Sequence, residues 1–218
     1  MMIMMKSFSP KFERDYCPEL LSWEELSNLV NQTQLMTQQR IRVNFPEEYA
    51  KSLSWPNTRW CLDETAVPAV ILKDIIERYV CYFREMSRST KKINDFAKSI
   101  EDTYNMPTDA HIYTCKNLDI DHPFGIHYDN SHNIIVQCEG ETNFKVWDII
   151  KEKDQPQANM SITDIPLLDV DMKPGDAIWI PKSYPHLATS HTPRMSVSFP
   201  FIREREDEPI QNRDWIQL

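Results

Sequence analysis

"FGIHYDNSHN", Phe124 to Asn133, brings two histidines, two asparagines and an aspartate into ten residues. In an extended segment, side chains two apart project to the same side. His127 and Asp129 therefore point together, and Tyr128 turns away. Two ligands on one strand edge leave a metal short of partners. A third is offered by "MKPGDAIWIPKSYPHLATS", Met172 to Ser190, where Pro174-Gly175-Asp176 makes a tight turn and Ala177 to Pro181 reads as a buried strand. Pro185 fixes the approach to His186, which is expected to enter a barrel mouth from a distant strand.

Outward from these segments the chain changes character at Pro107. After it, "HIYTC", "NIIVQCEG", "NFKVWD", "DVDM", "AIWIP" and "RMSVSFPF" are short strand-like runs separated by Gly, Pro, Asn and Asp. Before it, Ser22 with Glu25 forms a capping box, and Leu21 can staple to Leu26 across it. "IRVNF" alternates like a strand, and helices are expected from about Lys73 to Met86 and from about Thr90 to Asn105. The second of these carries Ile93, Phe96, Ala97, Ile100 and Tyr104 at helical spacing. Helices first and many short strands afterwards predict a mainly β protein, an antiparallel barrel or jelly roll with a helical buttress. The division expected is a helical support region with a short strand over 1–106, a jelly-roll core over 107–203 and a charged tail over 204–218. Lys151 to Pro166, polar and poor in apolar residues, reads as a loop inserted between strands and covering the site.

At 218 residues the chain is long enough for a substantial core, and its 41% hydrophobic and 26% charged residues are those of a soluble globular protein. A net charge of -9 disfavours nucleic acid and anionic lipid as partners, and favours a basic protein or peptide. Five scattered cysteines, Cys17, Cys61, Cys81, Cys115 and Cys138, form no CxxC pair and read as free thiols. The opening "MMIMMK" is too short for a signal-peptide core, and no stretch reaches the length of a membrane span. The expectation is a cytoplasmic protein of open oligomeric state, a homodimer included.

Two histidines and one carboxylate on one face of a metal leave three positions open, the facial triad of non-heme Fe(II) oxygenases. Cupins share the expected barrel but use HxH followed by a glutamate. Here Asp129 stands where the second histidine would be, and Asn133 stands near the glutamate position.

"FGIHYDNSHNIIVQCEGETNFKVWD" and "MKPGDAIWIPKSYPHLATSHTPRMSVSFPF" together resemble the JmjC and cupin-like hydroxylases. The resemblance covers most of the chain and is strongest from about Ile112 to Phe201. It implies a double-stranded β-helix, Fe(II), and 2-oxoglutarate as co-substrate. It also implies hydroxylation of a substrate C–H bond with release of succinate and carbon dioxide. His127, Asp129 and His186 match the family's iron ligands, and Asn133 matches an asparagine that bonds the metal-binding end of 2-oxoglutarate. The lysine that usually holds the distal carboxylate is replaced by Thr142. Arg194, which opens the last strand, is the preferred substitute, with hydroxyl contacts from Thr142 and Tyr113. Lys145 is expected to face the opposite way.

His111, His122, His132 and His191 are read as structural, and Trp147 and Trp179 as core residues. A protein side chain is the expected substrate, a small molecule being the other. Two further readings stand beside the oxygenase: a cupin-type metalloenzyme that does not use 2-oxoglutarate, and a metal-binding module without turnover.

Overall fold

The computed structural model describes residues 9–32, 35–37, 40–43, 66–118, 125–149, 160–190 and 192–201. Expectations for Asn44, Phe45, Cys61, His122, Phe124, residues 151–159, His191 and the 204–218 tail lie outside the described residues.

Helix α1, Trp23–Leu29, begins where the capping box requires. The Glu25 N–H donates to the Ser22 hydroxyl, and the Ser22 N–H donates to the Glu25 carboxylate. Helix α2, Ala69–Arg78, starts and stops earlier than its apolar spacing suggested. Tyr79 is already extended, and the aromatic run that follows makes strand β3, Cys81–Phe83. Aromatic residues favour the pleated, half-buried setting of a strand, and β3 pairs with both β2, Ile41–Val43, and β4, His111–Cys115. Helix α3, Lys91–Tyr104, agrees with its periodicity: the Thr90 hydroxyl caps its start and Asn105, at φ 54°, closes its end.

All six expected strands after Pro107 form: β4, β5 (His132–Glu139), β6 (Thr142–Val146), β7 (Leu168–Met172), β8 (Ala177–Ile180) and β10 (Arg194–Phe201). Besides β3, two strands were not expected: β1, Lys11–Glu13, and β9, His186–Ser190. Every pairing is antiparallel. The larger sheet has seven strands in the order β1-β8-β5-β10-β4-β3-β2, and the smaller has three in the order β7-β6-β9. The chain is a jelly roll with helices on one flank.

The alternation along the strands decides which face becomes the site. On β10, Met195, Val197 and Phe199 join Ile112, Ile134 and Val136 in the core that receives Leu26, Leu72, Ile93 and Ile100 from the helices. The residues between them, Arg194, Ser196 and Ser198, face the opposite way, beside Tyr113 and Asn133 on neighbouring strands. There the smaller sheet closes over Ile135, Ile178 and Ile180 with Phe144, Val146 and Met172. The larger sheet is thus greasy towards the helices and largely polar towards the barrel interior. No helix among the described residues is long and apolar enough to cross a membrane.

Gly140 joins β5 to β6 at φ 67°, and a Cβ there would fall 2.0 Å from the Pro193 carbonyl oxygen. Gly140→Ala is therefore expected to destabilise the fold by about 1–3 kcal/mol or more, from left-handed backbone and steric overlap together. Urea denaturation tests this; an unchanged midpoint would refute it.

Candidate metal centre

The two histidines are brought together by their own backbones. The His127 N–H donates to the His186 carbonyl at 3.1 Å, and the His186 N–H donates to the His127 carbonyl at 2.8 Å. This isolated antiparallel bridge sets the two rings 4.3 Å apart. Beside it, β6 pairs with β9 so that Val146 lies opposite His186. Leucine and alanine follow the histidine in β9, a pattern too plain to signal a strand.

Each ring is also locked in rotation. Nδ1 of His127 lies 3.1 Å from the Gly125 carbonyl, and Nδ1 of His186 lies 3.1 Å from the Tyr184 carbonyl. A carbonyl oxygen bonds only a donor, so each Nδ1 carries the proton and each Nε2 keeps its lone pair. The same second bond orients metal-ligating histidines. Nε2 of His186 stands 3.8 Å from Oδ2 of Asp129. One donor atom from each of His127, Asp129 and His186 lies within 4.8 Å of the others, a cluster able to hold a metal.

Asp129 is held at both ends of the residue. Its carbonyl accepts the Ser183 N–H at 2.9 Å, and its Oδ2 accepts a bond from Asn133 Nδ2 at 2.6 Å. The Ser198 hydroxyl donates to Asn133 Oδ1 at 3.2 Å, which fixes the orientation of that buried amide. Asn133 thus serves the carboxylate ligand directly. His186 is buried, and burial, reinforced by His127 and opposed by Asp129, lowers its pKa to about 4. At neutral pH it is the uncharged ligand form.

Further along the inner face, Ser196 lies opposite Tyr113, and Arg194 lies opposite Cys115. Arg194 is buried, and its guanidinium donates to the Ser196 hydroxyl at 3.4 Å, reaching forward along the strand. Burial lowers its pKa to about 10, against the pull of Cys115 and Tyr113. Burial likewise pushes the Tyr113 hydroxyl well up, with Asp129 adding to the rise and Arg194 opposing it. Thr142 opens β6 opposite Ser190, four positions from the Val146–His186 pair. It is fully buried and its hydroxyl has no hydrogen-bond partner.

Lys145 faces outward and pairs with Asp169 at 3.4 Å. His132 accepts the Lys182 N–H at 3.1 Å, outside the triad. Trp147 is buried, with its indole N–H on the Asp164 carbonyl, and Trp179 packs against the core. Cys17, Cys81, Cys115 and Cys138 are free thiols. Past the undescribed part of the inserted loop, the Met160 N–H donates to the Ile126 carbonyl, so the loop returns beside the strand that carries His127. Sequence reading missed Ser196 and Ser198, although both serines alternate with Arg194 on one strand.

The JmjC domain model matches residues 84–208, more than half of the chain and all of the site just described. The chain belongs to the JmjC domain family. Among curated proteins, this JmjC chain is 31% identical over 68 residues to the bifunctional lysine-specific demethylase and histidyl-hydroxylase NO66 of Drosophila persimilis. That match covers 30% of this chain and 10% of the fly protein. Among solved structures it is similar in fold to YcfD, a ribosomal oxygenase from Escherichia coli, in complex with cobalt and 2-oxoglutarate. The TM-score is 0.57 at 15% identity, over 91% of this chain and 49% of that one. Another YcfD crystal structure gives a TM-score of 0.58 at 15% identity, over 90% and 49%. The chain spans about half the length of the solved relatives and a tenth of the curated one.

In metal-free protein an unfolded chain takes a proton on His186 near 6.5, whereas the folded chain resists until about 4. The unfolded state binds more protons between those values, so stability is intact above the first and falls as pH drops towards the second. Denaturation midpoints measured across that window should fall for the parent and fall less steeply for His186→Gln. Equal slopes would contradict the assignment.

Proposed function

We propose that this chain is an Fe(II)- and 2-oxoglutarate-dependent oxygenase that hydroxylates a C–H bond of a protein side chain. The single observation that carries this reading is the His127–Asp129–His186 cluster with both Nδ1 atoms held on backbone carbonyls. Two nitrogens and one oxygen from one side leave open positions for a chelating co-substrate and for oxygen. When bound, the iron supplies the oxidation: oxygen and 2-oxoglutarate are consumed, substrate C–H becomes C–OH, and succinate and carbon dioxide leave.

The protein's residues bind, orient and exclude water. His127, Asp129 and His186 hold the iron, and Asn133 steadies Asp129 through the bond to its carboxylate. Arg194 takes the distal carboxylate of the co-substrate. A buried guanidinium whose charge is disfavoured by desolvation gains from an anion placed against it. The buried, unpartnered hydroxyl of Thr142 supplies a hydrogen bond where the family's lysine would stand. Tyr113, opposite Ser196 in the sheet, adds a hydroxyl contact.

A protein substrate is supported by two things. The chain's charge of -9 suits a basic target. The fly relative is, by name, a lysine-specific demethylase and histidyl-hydroxylase.

Anaerobically loaded with Fe(II) and then given oxygen and 2-oxoglutarate, the protein should form succinate, and His186→Ala should form none. Arg194→Ala should raise KM for 2-oxoglutarate about thirtyfold or more, since removing one partner of a buried charge pair costs about 2–5 kcal/mol. A protein that binds iron tightly but makes no succinate would instead be a cupin-type metalloenzyme that does not use 2-oxoglutarate, or a metal-binding module without turnover. Thr142 in place of the usual lysine is the feature that would then have foretold it.

A further inference from the structure

Of the three triad residues, His186 opens β9 and His127 sits in the backbone bridge, but Asp129 lies in irregular chain ahead of β5. Its backbone is placed by the turn that leads into His186. The Tyr184 N–H donates to the Pro181 carbonyl at 3.2 Å, which closes a four-residue turn from Pro181 to Tyr184. Ser183, the third residue, has φ 70°, so the turn is of type II. Its N–H donates to the Asp129 carbonyl at 2.9 Å. One residue earlier, the Lys182 backbone N–H donates to Nδ1 of His132 at 3.1 Å. The His132 ring packs on Phe201, its register partner in β10, with centroids 5.5 Å apart.

Serine is a poor choice for that third position. A type II turn needs a positive φ there, which glycine or asparagine adopts readily and a serine Cβ resists. Turning the Lys182–Ser183 peptide over would give a type I turn, in which Ser183 relaxes to a negative φ while the ends of the turn stay in place. The turned peptide would point its N–H away from Asp129 and set the Lys182 carbonyl against the Asp129 carbonyl, two acceptors facing each other. That conflict blocks the relaxed turn only while the turn is held against the Asp129 segment. His132 does the holding: with the Lys182 N–H bonded to a ring fixed at the start of β5, the turn cannot draw back. The left-handed serine, its bond to Asp129 and the bond to His132 are three parts of one latch. Asn133 holds the Asp129 carboxylate, and the latch holds its backbone.

We propose that His132 and Ser183 are positioning residues for the metal: His132 keeps the turn from Pro181 to Tyr184 in its left-handed form, and that turn keeps Asp129 in place beside the two histidines. Both act through the backbone of the turn and neither is a ligand. The proposal rests on the triad holding a metal and on no particular reaction. Its effect shows in the affinity for the ion, because an unlatched Asp129 has to be ordered again when the ion binds.

The test is calorimetric titration of Co(II) into metal-free protein, with the visible d–d spectrum of each loaded protein recorded beside it. His132→Phe keeps a ring on Phe201 but offers Lys182 no acceptor. It should bind Co(II) about tenfold more weakly, with an altered spectrum, the factor expected when a left-handed serine is freed to relax. His132→Asn loses the ring but keeps an acceptor near the place of Nδ1, and should bind as the wild type does. Ser183→Gly removes the drive to relax. Added to His132→Phe it should recover about fivefold or more, whereas in the wild type, where the latch is already closed, it should gain less than about twofold. Equal gains in the two backgrounds overturn the proposal. So does a His132→Phe protein that binds as the wild type does, or a His132→Asn protein that binds as weakly as His132→Phe. If His132→Phe does not fold, His132→Leu takes its place in the same comparison. A wild type that takes up no Co(II) refutes the metal reading itself, and the latch with it.

Discussion

The arrangement depends on a reciprocal pair of backbone hydrogen bonds between His127 and His186. Side chains alone could not bring two imidazoles from distant segments to a ring separation of 4.3 Å and hold them there without metal. The backbone bridge does so, and each ring is then fixed by a bond from Nδ1 to a carbonyl two residues earlier. The repetition of one local device on two unrelated segments presents both Nε2 lone pairs to a common point. Desolvation keeps His186 uncharged in that place. The cluster is therefore preorganised: little reordering remains when a metal binds.

The larger sheet solves a second problem by having two unlike faces. Its apolar face is covered by helices and supplies the burial that stabilises the fold. Its other face carries Asn133, Tyr113, Arg194, Ser196 and Ser198 into the barrel. Polar residues at that depth are costly unless bonded, and most of them are bonded to one another or to the metal-ligand carboxylate. On the facing smaller sheet the buried Thr142 hydroxyl is unpartnered.

Much of this was legible in the residues. The His127-x-Asp129 spacing and the Pro-Gly-Asp turn before His186 located the triad, because period-two geometry and turn chemistry are local rules. The strands after Pro107 were equally plain. Less visible was the break between Arg78 and Cys81, where an apolar run suited both a helix and a strand until pairing with β2 and β4 decided it. Strand β1 was hidden because Lys11–Glu13 has only three residues and is a strand through its partner β8. The Ser198 bond to the Asn133 amide depends on cross-strand register, which spacing within one segment does not encode.

The most direct test of the central claim is anaerobic absorption spectroscopy of Fe(II)-loaded protein on addition of 2-oxoglutarate. A 2-oxo acid that chelates Fe(II) through its keto and carboxylate oxygens produces a visible charge-transfer band. It can do so only where the protein has left adjacent positions open. The account predicts that the band appears in wild type and is absent from His186→Ala. A protein that binds Fe(II) yet stays colourless with saturating 2-oxoglutarate would contradict it.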